Sequence, residues 1–356
     1  MLGLAEAVLW LMRPPPGTLL LEEPVGNSIV ASGIGVSNGQ LILVRFPDEA
    51  NGQPLRVRRF LGDVALPVAV SPPTWEREKP GSIRSFVVTD GRLTVMEAPI
   101  LYNKANNMMY TDGGHDCVTE MPLDGGPAVR RCHTPSLRIH ALFAPLVTGG
   151  TVYYAGPVVQ NGDEPERAAL ASVAADGTWR VLDRASDGWA MGAGIVQDSD
   201  AIYWATNSTV RRVSRKDGSA RTVFHSDLHH HDMAPLLVVM VGQTLIVTAF
   251  QHNRTHPRDS QVNNYAIDPN RETRASTARP IGSFESLNWT TDGLNAYFVH
   301  RGQIMRMGVD GQTQVLAERE DDSAVWDLAL TADRVVYLAT DIKREPHRLK
   351  LWSVPK

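Results

Sequence analysis

Histidine is where this sequence concentrates its chemistry. His229, His230, His231 and Asp232 stand together, and the segment QHNRTHPRDSQ (251–261) adds His252, Arg254, His256 and Asp259. Upstream, His133, Arg138 and His140 share one short stretch, and Glu285 and His300 flank a later one. The segment EAPILYNKANNMMYTDGGHD (97–116) contributes Glu97, Asn106, Asp112, His115 and Asp116. Neutral imidazole ligates divalent metals and titrates near neutral pH, and carboxylates complete metal spheres or share protons. Two chemistries follow. A divalent metal could be held by His229, His231 and Asp232; otherwise no cofactor is needed, and His231 with Asp232 forms an acid/base pair. In the second case His140 and His300 stand opposite, and Arg138 holds an anionic substrate. Against both, consecutive residues of an extended segment point alternately to opposite sides, so at most two of the three adjacent histidines share a face. Histidine is also common in polar loops without special purpose. The candidate face consists of His140, Arg138, His231, Asp232, His252, Glu285 and His300.

Known local motifs contribute little. Gly33-Ile34-Gly35 with Gly39 has the wrong last spacing for a dinucleotide loop, and no helix pattern follows to cradle a phosphate. The sequence contains no Walker A, His-Glu-x-x-His, paired Cys-x-x-Cys or Gly-x-Ser-x-Gly pattern. Ala174-Ala175-Asp176-Gly177-Thr178-Trp179 is one residue short of a sialidase Asp-box and reads as a turn, with Trp179 packing between repeats. Asn207-Ser208-Thr209, Asn253-Arg254-Thr255 and Asn288-Trp289-Thr290 fit glycan acceptor sites, and chance accounts for them better.

The elements that would position these residues form a repeat. An apolar run, a Gly/Asp/Asn turn and a β-branched or aromatic run recur as GIGVSNGQLILV (33–44), SFVVTDGRLTVM (85–96), APLVTGGTVYYA (144–155), GIVQDSDAIYWA (194–205), VVMVGQTLIVTA (238–249), NWTTDGLNAYFV (288–299) and LALTADRVVYLA (328–339). The spacing of roughly 40 to 60 residues is that of propeller blades. A second turn follows within the units, at Leu61-Gly62-Asp63, Asp124-Gly125-Gly126, Asp176-Gly177, Asp217-Gly218, Asp268-Pro269-Asn270 and Asp310-Gly311. Asp-Gly between alternating runs marks a hairpin, and two joined hairpins make a four-stranded blade. The seventh unit lacks its fourth strand, while GTLLLEEP (17–24) is an orphan. Placing Gly17–Glu22 beside Lys350–Val354 closes the ring and removes a bare edge.

The fold class is therefore all-β, a seven-bladed β-propeller over 17–356 as one domain, preceded by a leader at 1–16. With AIYWATNSTVRRVSRKDGSARTV (201–223) and NAYFVHRGQIMRMGVDGQTQVL (295–316), the chain resembles bacterial seven-bladed propellers of the TolB-like and NHL-like repeat groups, WD40-like in architecture. That resemblance covers most of 17–356 and specifies the blade. It implies binding modules, assembly platforms and a minority of enzymes, and no catalytic residue.

A composition of 43% hydrophobic and 21% charged residues suits a globular protein with a core, and a net charge of −4 gives no global basic field for nucleic acid. The basic runs Arg56-Val57-Arg58-Arg59 and Arg211-Arg212 to Arg215-Lys216 fall on outer strands and read as solvated sheet faces. No segment has the uninterrupted apolar length of a transmembrane helix. The two cysteines, Cys117 and Cys132, lie symmetrically about Asp124-Gly125, which admits a cross-strand disulfide or two buried thiols. A cystine and the propeller type point to the periplasm or exterior. The start MLGLAEAVLWLMRPPPG, without a basic lead, makes a poor secretory signal and points the other way.

In a propeller, the loops leading into first strands and those joining second to third strands lie on one face. Nearly all eleven histidines and the inserted loops sort to that face. The first functional reading is a monomeric binding propeller that presents this face to a protein, peptide or glycan. The alternative is a metal-assisted or His-dependent hydrolase or lyase acting at the channel mouth. Met108-Met109-Tyr110 and Trp75 in the insertions read as packing against their own blade.

Overall fold

The structure is a computed structural model describing residues 17–24, 32–45, 55–70, 83–97, 101–103, 108–110, 116–133, 138–139, 144–159, 167–185, 194–226, 237–251, 261–284, 286, 288–318, 324–341 and 347–356. It is all-β. Strand β1 (Thr18–Pro24) comes first, then blade 1 with β2 (Ser32–Ser37), β3 (Gln40–Arg45), β4 (Arg56–Leu61) and β5 (Val64–Val68). Blade 2 contains β6 (Ile83–Thr89) and β7 (Arg92–Glu97), a separate hairpin β8 (Leu101–Asn103) with β9 (Met108–Tyr110), then β10 (Asp116–Pro122) and β11 (Val129–His133). Blade 3 has β12 (Arg138–Ile139), β13 (Leu146–Thr148), β14 (Thr151–Val159), β15 (Arg167–Val173) and β16 (Trp179–Ala185). Blade 4 comprises β17 (Ile195–Gln197), β18 (Ala201–Ala205), β19 (Thr209–Ser214) and β20 (Ala220–His225). Blade 5 is formed by β21 (Leu237–Val241), β22 (Thr244–Gln251), β23 (Gln261–Ile267) and, after β24 (Thr273–Arg274), β25 (Arg279–Gly282). Blade 6 is β26 (Trp289–Thr291), β27 (Ala296–His300), β28 (Gln303–Met307) and β29 (Thr313–Glu318). Blade 7 is β30 (Ala324–Leu330), β31 (Arg334–Asp341) and β32 (Arg348–Pro355), completed by β1.

This is the seven-bladed β-propeller of antiparallel four-stranded blades read from the repeat. β1 pairs with β32 from Thr18↔Ser353 to Pro24↔Arg348, so the orphan strand completes the last blade as expected. The strands group into two compact units, Met1–Pro67 with Glu285–Lys356, and Val68–Phe284. No helix among the described residues is long and apolar enough to cross a membrane.

Within each unit neighbouring sheets pack face to face, which is why second strands read as unbroken apolar runs. In AIYWA, Tyr203 faces Leu245 and Val247 of blade 5, while Ile202 and Trp204 face Ala168 and Leu170 of blade 3. Met96 and Val118 of blade 2 meet Val152, Tyr154 and Ala169 of blade 3, and Trp179 sits edge-on to Tyr154 at 5.7 Å. In the other unit, Tyr297 and Ile304 of blade 6 pack on Val335, Tyr337 and Trp352 of blade 7. Leu338 and Leu351 of blade 7 pack on Ile34, Leu43 and Phe60 of blade 1. The core is thus a series of slabs between neighbouring blades, each buried aromatic contributing about 2–3 kcal/mol of transfer free energy.

Two expectations need correcting. Asp268-Pro269-Asn270 does not close a two-residue hairpin. β23 pairs with β25 only after an excursion in which β24 lies parallel to β20, with Phe224↔Thr273 and His225↔Arg274. Pro269 cannot donate to a ladder, and its carbonyl instead accepts a bond from Arg221 at 3.1 Å. Second, the basic runs are not simply solvated. Arg211 lies against Asp183 of blade 3, its Nε donating at 2.6 Å, and Arg58 pairs with Glu23 of β1 at 2.7 Å. Arginine can bury its stem and still satisfy a fork of donors, so alternation alone does not reveal whether its face meets water or the next blade. Within the insertion at 98–115, β8 and β9 form a hairpin in which Met108, Met109 and Tyr110 pair with Asn103, Tyr102 and Leu101.

Candidate functional site

Every blade has two unlike ends. At one, first strands turn into second strands and, except in blades 5 and 7, third into fourth; here the turns are tight. Asp124, Asp176, Asp198, Asp217, Asp268, Asp292 and Asp310 each accept, through Oδ1, the backbone N–H two residues on, at 2.8–3.1 Å. This Asx geometry substitutes a side chain for a backbone turn partner. Asp217 also accepts a bond from Ser219 Oγ at 2.8 Å. Bonds from the Ser214 hydroxyl and the Ser219 amide hold its carboxyl down at about 2. Asp198 and Asp292 additionally accept the phenol of Tyr203 (2.6 Å) and of Tyr297 (2.8 Å). Burial, reinforced by those carboxylates, pushes both phenols up to about 12. They are locked donors that serve the turn.

The opposite end carries connections of very uneven length, 46–55, 69–82, 98–115, 140–145, 226–236 and 252–260 among them. Most sequence candidates belong to these stretches. His140, His229, His231, Asp232, His252 and Glu285 lie outside the described residues, as do Asn106, Asp112, His115, Trp75, Arg254, His256 and Asp259. Arg138 is on β12, its backbone paired with Val159. His300 is the last residue of β27, half-buried, paired with Gln303. Among the described residues, no group of three or more His, Cys, Asp or Glu is placed to hold a metal.

Blade 2 shows how such a connection is founded. Glu97 ends β7 and Asp116 begins β10, so they are the two feet of the 98–115 insertion. Cys117 lies directly opposite both Glu97 on β7 and Cys132 on β11, and the two cysteines form a disulfide. Closing a loop of that length is worth about 3 kcal/mol in the chain-entropy picture. On the same sheet face Glu97 accepts the Thr119 hydroxyl and an Arg130 guanidinium at 2.9 Å. Burial pushes the Glu97 carboxyl above its ordinary range, and the Thr119 and Arg130 bonds oppose that rise. The cluster is a clamp beneath the insertion. Glu97 was within reach of sequence reasoning; Thr119 and Arg130 were not singled out, though each is two positions from a cysteine and so shares its face.

The second feature missed from sequence is on the first strand of blade 7. The β30–β31 register shifts between Val325 and Asp327, leaving Trp326 as the bulged residue, 47% exposed. Asp327 Oδ2 accepts the amide of Ile34 in blade 1 at 2.8 Å, and Oδ1 that of Leu328 at 2.8 Å. Burial raises the Asp327 carboxyl to about 6 despite these two donors. On the other side, Asn288 Nδ2 of blade 6 donates to the Val325 carbonyl at 3.3 Å. A register shift leaves no trace in composition or turn spacing, so it is not readable from local pattern.

No protein-family model and no curated protein sequence matches the chain. Solved structures do. An oligogalacturonate lyase in complex with manganese is similar at 10% identity, over 97% of this chain and 99% of that one, with a TM-score of 0.55. Virginiamycin B lyase from Staphylococcus aureus is similar at 11% identity over 94% and 98%, TM-score 0.54. The WD40 domain of Neurospora crassa Pan2 is similar at 14% identity over 97% of each chain, TM-score 0.52. At these identities the likeness concerns the fold, which binding domains and lyases share.

Proposed function

We propose that this chain is a binding propeller whose loop end receives a protein, peptide or glycan. The observation that carries the reading is the asymmetry of the blade ends. One end is finished by repeated Asx turns, while the other bears uneven connections, one of them clamped at its feet by the Cys117–Cys132 disulfide and the Glu97–Thr119–Arg130 cluster. Variable loops on a rigid scaffold are the usual place for recognition. Screening the folded protein against arrayed glycans and a displayed peptide library tests this. Binders should be lost when 98–115 or 252–260 is replaced by a Gly-Ser linker of equal length, and kept in Asp217→Ala. Binders with the reverse pattern would place recognition at the turn end and end the proposal.

A metal-assisted lyase or hydrolase is the second reading, favoured by one observation, that a structural neighbour of almost equal length is a lyase in complex with manganese. Its ligands here would be His229, His231 and Asp232. A saturating native-state ligand at a hundredfold excess over its Kd adds about 2.7 kcal/mol of stability. Melting with Mn²⁺, Zn²⁺, Ca²⁺ and chelator therefore decides it. No shift with any metal removes this reading, and a shift unchanged in His231→Ala removes these ligands.

A further inference from the structure

We infer that Trp326 is a stacking platform for a sugar ring, which makes the ligand of the loop end a glycan. This rests on the reading of that end as the binding face, and names the ligand class and anchoring residue. Trp326 is exposed by construction. It is the extra residue of a bulge near the loop end of β30, and bulges re-aim a side chain out of the sheet pattern. β6 of blade 2 carries the same register shift between Ile83 and Ser85, at the corresponding place in its blade.

The residues on both sides of the indole are tied to neighbouring blades, Val325 through its carbonyl and Asp327 through its carboxylate. Val325 is held from blade 6 by Asn288, and Asp327 reaches Ile34 of blade 1. An aromatic side chain between residues so restrained loses little freedom when a ligand covers it, which is what a pre-organised contact requires. The indole offers a flat apolar face and an N–H donor at its edge. A pyranose has the matching layout, a face of C–H groups and a rim of hydroxyls.

The surroundings favour a sugar over a protein surface. A stable protein contact needs roughly 800 Å² per partner around an apolar centre. Among the described residues, Trp326 is the only exposed large hydrophobic on any first strand; the others, such as Leu61, Val64, Val181 and Leu294, are on outer strands or turns. A single exposed indole face presents about the area that one sugar ring covers.

The test is titration calorimetry of the full chain with soluble tetrasaccharides of neutral hexose, hexuronate and N-acetylhexosamine, for wild type, Trp326→Ala and Trp326→Phe. At least one tetrasaccharide should bind wild type. Affinity should fall about tenfold in Trp326→Ala and less in Trp326→Phe, with melting temperatures unchanged because the ring is outside the core. Binding undiminished in Trp326→Ala overturns the platform. Absence of binding by every tetrasaccharide overturns the glycan class. A displayed peptide that binds wild type, and is lost on exchange of 98–115, would in that event leave the binding-face reading standing while this inference falls.

Discussion

Where blade 4 meets blade 5, Gly194 brings backbone against backbone, while at the matching position where blade 7 meets blade 1, Asp327 extends a carboxylate to the Ile34 amide. Both residues stand three places before the last paired residue of their first strand, as does Asn288 where blade 6 meets blade 7. Gly194 has φ +99, and a Cβ there would sit 2.9 Å from the Val238 carbonyl oxygen. No side chain fits, so the contact consists of main chain and the apolar slab beside it. The blade 7 and blade 1 contact is polar beyond Asp327 as well. Glu23 of β1 binds Arg45 at 2.8 Å and Arg58 at 2.7 Å, tying the closing strand to the next blade. The difference teaches that the repeat prescribes a close approach but not its chemistry. Asp327 and Ile34 come from opposite ends of the sequence, and their directional bond fixes β30 against blade 1, where only β1 of blade 7 is joined to blade 1 by the chain.

The comparison breaks most readily at Gly194. Gly194→Ala adds left-handed strain and a clash with backbone that cannot step aside, so a loss of about 3–5 kcal/mol is expected. Urea unfolding measures it. A loss under 1 kcal/mol would mean that the two blades can part slightly at no cost, and that the contact is not a close-approach requirement.

Asp327 sharpens the other side, through pH. Its carboxyl is raised from 3.8 to about 6, so the folded chain binds the proton more tightly than the unfolded chain does. Stability from this group is therefore greatest below about pH 4 and is lost as pH rises through 6, by about 2–3 kcal/mol. Asp327→Asn has no such titration. The stability of wild type minus that of Asp327→Asn should fall across pH 4 to 7, and a flat difference would show that solvent reaches the carboxylate and that the contact is weaker than its geometry.

How far the sequence could be read follows from the same physics. The blades were legible because two-residue turns need Gly and Asp at fixed places and second strands buried on both faces need continuous apolar runs, as in AIYWA at 201–205. β1 was found as an orphan strand facing a blade one strand short. The contacts between blades were not legible. Whether Arg211 meets water or Asp183, and whether a first strand bulges at Trp326, depends on the neighbouring blade rather than on local pattern. Of the candidate site, the residues with recognisable chemistry were histidines in connections, whereas the carboxyls that burial pushes upward, Glu97 and Asp327, sit at strand positions that periodicity assigns to packing.

The smallest effect belongs to Asn288, the intermediate case. It uses a side-chain amide, as Asp327 uses a carboxylate, but it donates to a carbonyl at 3.3 Å instead of accepting from an amide. A carbonyl that loses one donor keeps a second lone pair and is reached by water at a half-buried site, so Asn288→Ala should cost only about 0.5–1 kcal/mol. The informative readout is amide hydrogen exchange along β30. If the bond pins the bulge, exchange at Val325 and Trp326 quickens in Asn288→Ala while the ladder from Leu328 onward is unchanged. Equal protection in both proteins would leave Asp327 as the sole restraint on the bulge and remove one of the two supports for a rigid Trp326.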